Sequence, residues 1–234
     1  MLSRRSLLGG MLAVAGASLV GCRPASLGRA ILVHGLGSRA ATYPHRKPPV
    51  ELLVRRLAVQ GWAVDVMPYR TEGQGPAHAA TLQKLFDQDP TGATVLEMWL
   101  EDYDRHLADL PRVDGPTILL GISWGGLLCL QAAGRARLRP DAYIAHIPAT
   151  EPRLIEEFGS YDLTVLAGLN EPAMTMPGLL SWAKDDRRVG CEATAELGGR
   201  LGCDVVQYDD LGHNTTDEVV VNLTRWTGRL LDSR

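Results

Sequence analysis

The stretch "GISWGG", residues 121–126, follows the apolar run "TILL" (117–120) and precedes "LLCLQAAGRARL" (127–138). The first reads as a buried strand and the last as a helix, so a lone hydroxyl residue, Ser123, sits where one hands over to the other. An ordinary turn needs one glycine, and this one has three. A serine lifted above a sheet on a tight strand-to-helix turn must take strained backbone angles. Its neighbours two residues to either side then crowd the backbone, which explains Gly121 and Gly125. Gly126 lets the first helical turn lie close to the strand. Such a turn exposes the hydroxyl and puts a helix N-terminus beneath it, where N–H groups and the helix dipole favour a developing negative charge.

Outward from this turn, short apolar strands alternate with amphipathic stretches. Strands are predicted at "AILVH" (30–34), "WAVDVMPY" (62–69), "PTILLGI" (116–122), "DAYIAHI" (141–147), "GLLSWA" (178–183) and "CDVVQYD" (203–209). Helices are predicted at 49–61, 94–110, 125–136, 191–202 and 217–231, the second with Leu96, Leu100, Tyr103 and Leu107 along one face. Strands alternating with helices of this length imply parallel pairing through right-handed crossovers, hence a three-layer α/β/α sandwich around a mostly parallel sheet of about six strands. Its site belongs at the carboxyl ends of the strands. No composition shift marks a second domain, and residues 30–234 are expected to form one.

Three further signals fall at strand ends. "HGLGS" (34–38) after the first strand offers a backbone N–H at Leu36 that could join that of Trp124 in an oxyanion hole. "AKDDRRV" (183–189) after the fifth strand puts carboxylates at the strand tip, and "DLGHNT" (210–215) after the sixth carries His213. The order Ser, Asp, His is that of nucleophile-elbow enzymes. On these residues the chain resembles the α/β-hydrolase family over about residues 29–231. The resemblance implies a serine esterase-like enzyme in which Ser123 attacks an acyl carbon, His213 relays its proton and an Asp orients the imidazole. Asp186 fits the family spacing better than Asp185, which stays open as the alternative. His34 is implied to shape its loop, and His146 is a core or rim residue with a lesser claim to be the base. His45, His78 and His106 read as surface, and Trp124 as a wall of the acyl pocket.

Two departures from the family stand out. The two leading antiparallel strands are missing, and the segment between the fourth and fifth strands is too short for a large helical cap. A minimal cover, from "EPRLIEEFGSYDL" (151–163), leaves an open site suited to an ester or thioester on a protruding chain. Amidases, dienelactone hydrolases and perhydrolases of the family use similar residues and remain alternatives. So does a catalytically silent binding protein of the cell envelope, since fold does not fix function. No cofactor or metal is implied: "HGLGS" lacks the Lys-Ser/Thr of a phosphate loop, and the four cysteines show no metal-ligand spacing.

Residues 1–21 read as a signal peptide, with Arg4 and Arg5 ahead of a glycine-rich apolar stretch too short for a membrane helix. "SRRSLL" resembles a twin-arginine export signal and "LVGC" (19–22) a bacterial lipobox. Lipid on Cys22, followed by a tether over 22–29, would hold the domain on the periplasmic side of a membrane; a plain secretory signal or N-terminal anchor helix is the alternative. The whole chain carries a formal charge of −3. Removal of Arg4 and Arg5 leaves 22 basic side chains against 27 acidic ones, a charge of −5. An acidic globule without a basic stripe excludes nucleic acid as a partner and gains nothing from anionic headgroups, so only the acyl chains would bind membrane. A domain folded before export cannot depend on disulfides. Cys129, Cys191 and Cys203 are therefore expected as buried free thiols, with a Cys191–Cys203 pair the lesser alternative.

Overall fold

A computed structural model describes residues 26–35, 39–43, 47–70, 75–151, 168–189 and 191–232, with side chains left out over 75–80. The signal and tether through residue 25, with Cys22, lie outside the described residues. So do Leu36, His45, the side chain of His78 and nearly all of the expected cover.

Six strands form one fully parallel sheet: β1 (Gly28–Val33), β2 (Trp62–Val66), β3 (Thr117–Ile122), β4 (Ala142–His146), β5 (Gly178–Ala183) and β6 (Asp204–Tyr208). Their spatial order is β2-β1-β3-β4-β5-β6. Each predicted strand is present: β1 starts two residues earlier and ends one sooner than predicted, β5 has the predicted bounds, and the other four are trimmed by one to three residues. Every residue of β1, β4 and β5 is buried, as expected of strands covered on both faces, which read as apolar runs instead of alternating patterns. The edge strand β6 is exposed along most of its length.

The helices are α1 (Pro48–Val59), α2 (Gly75–Gln88), α3 (Ala93–Asp109), α4 (Trp124–Arg135), α5 (Cys191–Leu201) and α6 (Asp217–Asp232). Right-handed crossovers place α1, which leads from β1 outward to β2, on the face opposite α3, α4 and α5, which lead the other way. The closing helix α6 packs on α1, and α4 packs on α3, β3 and β4. Helix α2 has no counterpart among the helices predicted from the sequence. Its C-terminal half carries the buried pair Leu82 and Phe86 at a spacing of four, a signal too short to stand out among polar neighbours.

Because β2 lies to one side of β1 and β3 to the other, the strand order reverses between β1 and β3. A crevice opens at the carboxyl ends of strands at such a switch point. The residues following β1 and β3 are the "HG" pair at 34–35 and Ser123.

Candidate active site

Ser123 lies between β3 and α4 with φ 59° and ψ −120°, a left-handed backbone rare for any residue bearing a side chain. The glycines around it are required by close contact. A Cβ on Gly121 would come 2.1 Å from the Gly125 carbonyl oxygen, and one on Gly125 would come 2.2 Å from that of Val33. A Cβ on Gly126 would stand 3.0 Å from Pro148 Cα. The turn is pinned to β4, since the Ser123 N–H donates to the His146 carbonyl at 2.9 Å. Strain of this kind persists only where the surroundings over-determine it.

The Ser123 hydroxyl meets His213 Nε2 at 2.8 Å, and His213 Nδ1 meets Asp186 Oδ2 at 2.8 Å. A carboxylate only accepts, so Nδ1 carries the imidazole proton and Nε2 is left to accept from the serine. The Asp186 side chain is fully buried, while His213 keeps a fifth of its surface in solvent. Burial pushes the Asp186 carboxyl upward in pKa. Hydrogen bonds from His213 and from the Arg188 N–H (2.8 Å, to Oδ1) outweigh that and hold it below the usual carboxylate value. Asp186 is thus an ionised acceptor at neutral pH, aimed at the imidazole.

Asp185 does something else. Its Oδ1 accepts the N–H groups of Leu211 (3.0 Å) and Gly212 (2.8 Å), which clamps the loop just ahead of His213. Gly212 sits at φ +57°, the left-handed turn that swings His213 back over the sheet. The doubled Asp after β5 therefore divides into an acid for the imidazole and an acid for its loop. The second of these roles has no signature in the sequence.

Trp124 stands at the first position of α4, so its N–H is at the positive end of the helix below the serine. Its indole does not face an open pocket as expected: it is 1% exposed and packs edge-on against Trp99, with ring centroids 5.0 Å apart. His34 is buried and stacked on Tyr69 at 4.4 Å, and the Tyr69 hydroxyl lies 3.1 Å from His34 Nδ1. That packing fixes the start of the glycine loop. His146 is fully buried and does not reach the serine hydroxyl; its ring nitrogens are engaged elsewhere. His106 is half-buried and not a surface residue, its pKa lowered by that burial. All three described cysteines are free; only Cys129 is buried, and no Cys191–Cys203 bond forms. Among the described residues no group of His, Cys, Asp or Glu side chains could hold a metal ion.

A parallel sheet with a strained serine elbow at its switch point defines a class, and the comparisons agree. Residues 30–202 match the Alpha/beta hydrolase family, and the chain belongs to it. Est1E from Butyrivibrio proteoclasticus, solved with ferulic acid bound, is similar at 18% identity over 88% of both chains, with a TM-score of 0.63. The esterase Pf2001 of Pyrococcus furiosus is 15% identical, covering 89% of this chain and 83% of that one at a TM-score of 0.63. The ydeN gene product of B. subtilis is 15% identical, over 88% of this chain and all of that one, at 0.60. At these identities the likeness establishes the fold. No curated protein matches the chain.

Proposed function

We propose that the protein is a serine hydrolase that cleaves carboxylic esters or thioesters through an acyl-enzyme. The observation that carries this reading is the unbroken hydrogen-bonded chain from the Ser123 hydroxyl through His213 to Asp186, held on a strained elbow. In the first half-reaction Ser123 Oγ bonds to the acyl carbon while its proton passes to His213 Nε2. The tetrahedral oxyanion collects next to the Trp124 N–H and, on the family pattern, that of Leu36. Its collapse breaks the bond to the alcohol or thiol, which leaves with the proton from His213. Water then repeats the sequence on the acyl-enzyme and releases the carboxylic acid. Asp186 keeps the imidazole in the tautomer that accepts from serine and stabilises the imidazolium once formed. Est1E, with its bound ferulic acid, and Pf2001 point the same way within the family.

The test is a fluorophosphonate probe on the folded protein, followed by a panel of nitrophenyl esters and acyl thioesters. Labelling and turnover are expected in the native protein and absent from Ser123→Ala. A folded native protein that neither labels nor turns over any substrate would leave a binding protein on an enzyme's scaffold.

The cellular setting belongs to the same proposal. Arg4 and Arg5 before a short apolar run, and Cys22 closing "LVGC", support export and lipid attachment. Residues 23–29 reach at most about 23 Å. The sheet begins at Gly28, whereas Ser123 follows the far end of β3, so a short tether turns the site away from the supporting membrane. The substrate is then an ester free in solution or on a neighbouring envelope layer, not one embedded in that bilayer.

A further inference from the structure

One buried residue next to the relay belongs to none of its three members yet contacts the backbone under two of them. In the sheet register Ile122 pairs with His146, and His146 with Ser181, so the tip of β4 lies between the strand leading to Ser123 and the strand leading to Asp186. The His146 carbonyl accepts the Ser123 N–H at 2.9 Å. Its ring Nε2 lies 3.1 Å from the carbonyl oxygen of Asn214, the residue after His213, and Nδ1 lies 2.9 Å from Ser181 Oγ. A carbonyl can only accept, so Nε2 bears the proton and Nδ1 accepts a hydrogen bond from the Ser181 hydroxyl. Ser181 thus fixes the tautomer that lets the ring grip the loop. The next residue, Ile147, is held at φ +44°, an unusual angle for a β-branched side chain, and its N–H donates to the Ser181 carbonyl at 2.6 Å.

We infer that His146 is a positioning residue that sets the separation of Ser123 from His213, gripping the nucleophile through its main chain and the base-bearing loop through its ring. This rests on the hydrolase reading above. Asp185 clamps the loop before His213 and His146 clamps it after, so the imidazole is bracketed from both sides. The contact that Ser181 makes with Nδ1 is that of a neutral ring. Burial pushes the His146 pKa down to about 4, an effect the hydrogen bond to Asn214 partly offsets. The charged groups facing it are His213, whose positive form opposes a second charge, and Asp186, which favours one; the edge of Tyr208 completes the surroundings. A ring that stays uncharged while His213 takes up and gives back a proton holds its position throughout the cycle.

The experiment compares His146→Phe, His146→Gln and Ser181→Ala with the native protein. Three readouts serve: fluorophosphonate labelling rate, kcat and KM on nitrophenyl acetate, and amide exchange over residues 211–215. Displacing a reacting group by about 1 Å can cost on the order of a hundredfold. His146→Phe should therefore label ten- to a hundredfold more slowly and lose kcat by the same factor, with KM within about twofold. His146→Gln, whose side-chain N–H can reach the Asn214 carbonyl, should recover most of the rate, and Ser181→Ala should fall between. Should the Phe variant not fold, the Gln and Ala variants carry the comparison, a rate deficit in Ser181→Ala being the expected result. Native labelling rates in folded His146→Phe and in Ser181→Ala would overturn the inference, as would equal losses in the Phe and Gln variants. If the native protein itself does not label, the hydrolase reading fails instead. The grip of His146 on the loop is then judged on amide exchange alone, faster exchange in the variants supporting it and unchanged exchange overturning it.

Discussion

Asp185 and Asp186 differ by one position and by everything that surrounds them. Asp186 is buried, accepts from the imidazole and from the Arg188 N–H, and is held ionised below the usual carboxylate range. Asp185 is exposed and accepts from the backbone of the loop ahead of His213. Asp186→Asn should preserve the fold and lower kcat by about four orders of magnitude, because an amide that donates to Nδ1 enforces the wrong tautomer. Asp185→Ala should cost only about tenfold, since the loop keeps its anchor on the far side of His213. Steady-state kinetics on a nitrophenyl ester measures both. Equal losses would mean that the two carboxylates share one role. The spacing in "AKDDRRV" already favoured Asp186, but nothing in the sequence could assign Asp185 to the backbone of a loop 26 residues further on.

At the scale of the element, Asp89 illustrates how a helix start is fixed outside the helix. Gly92, the cap residue of α3, has no side chain to offer the first turn. Asp89 supplies it, accepting from the Thr94 N–H at 2.7 Å, the Thr91 N–H at 3.1 Å and the Thr91 hydroxyl at 2.6 Å. These bonds, that from the Thr91 hydroxyl foremost, lower its pKa to about 2. A carboxyl with a depressed folded pKa stabilises the native state above its unfolded value, near 3.8, and loses that contribution as pH falls through its folded value. Asp89→Ala should therefore reduce stability at pH 6 and flatten the acid-induced loss between about pH 4 and 2. Denaturant titrations across that window check it; an unchanged slope would remove Asp89 from the account. The apolar spacing of α3 was readable without this bond. Helix α2 was not, because the packing of Leu82 and Phe86 into the core, more than local pattern, defines its inward face.

For the molecule as a whole, a parallel sheet separates its two ends, with strands entering at one and the proposed site at the other. If Cys22 carries lipid, the tether attaches where β1 begins, and the serine elbow stands at the opposite edge. Cys22→Ala should release the protein from the membrane fraction without changing kcat or KM on a soluble ester, because Ser123, Asp186 and His213 all follow the carboxyl ends of their strands. Fractionation of cells followed by kinetics on both forms tests it. A loss of activity on release, or retention at the membrane, would reject the arrangement. Radiolabelled palmitate incorporated by the native chain and not by the variant would identify the attachment directly.

The sequence alone determined the order of the strands and of every helix described except α2, the parallel pairing and the place of the elbow. Each of these follows from short-range facts: apolar runs of strand length, helical spacing, and glycines two residues either side of a serine. What only the tertiary structure decided is how residues 123, 146, 181, 185, 186 and 213 share their hydrogen bonds. Residues up to 90 positions apart meet within hydrogen-bonding distance, and which loop Asp185 clamps, or which nitrogen of a buried ring carries its proton, depends on directions in space that a linear pattern does not encode.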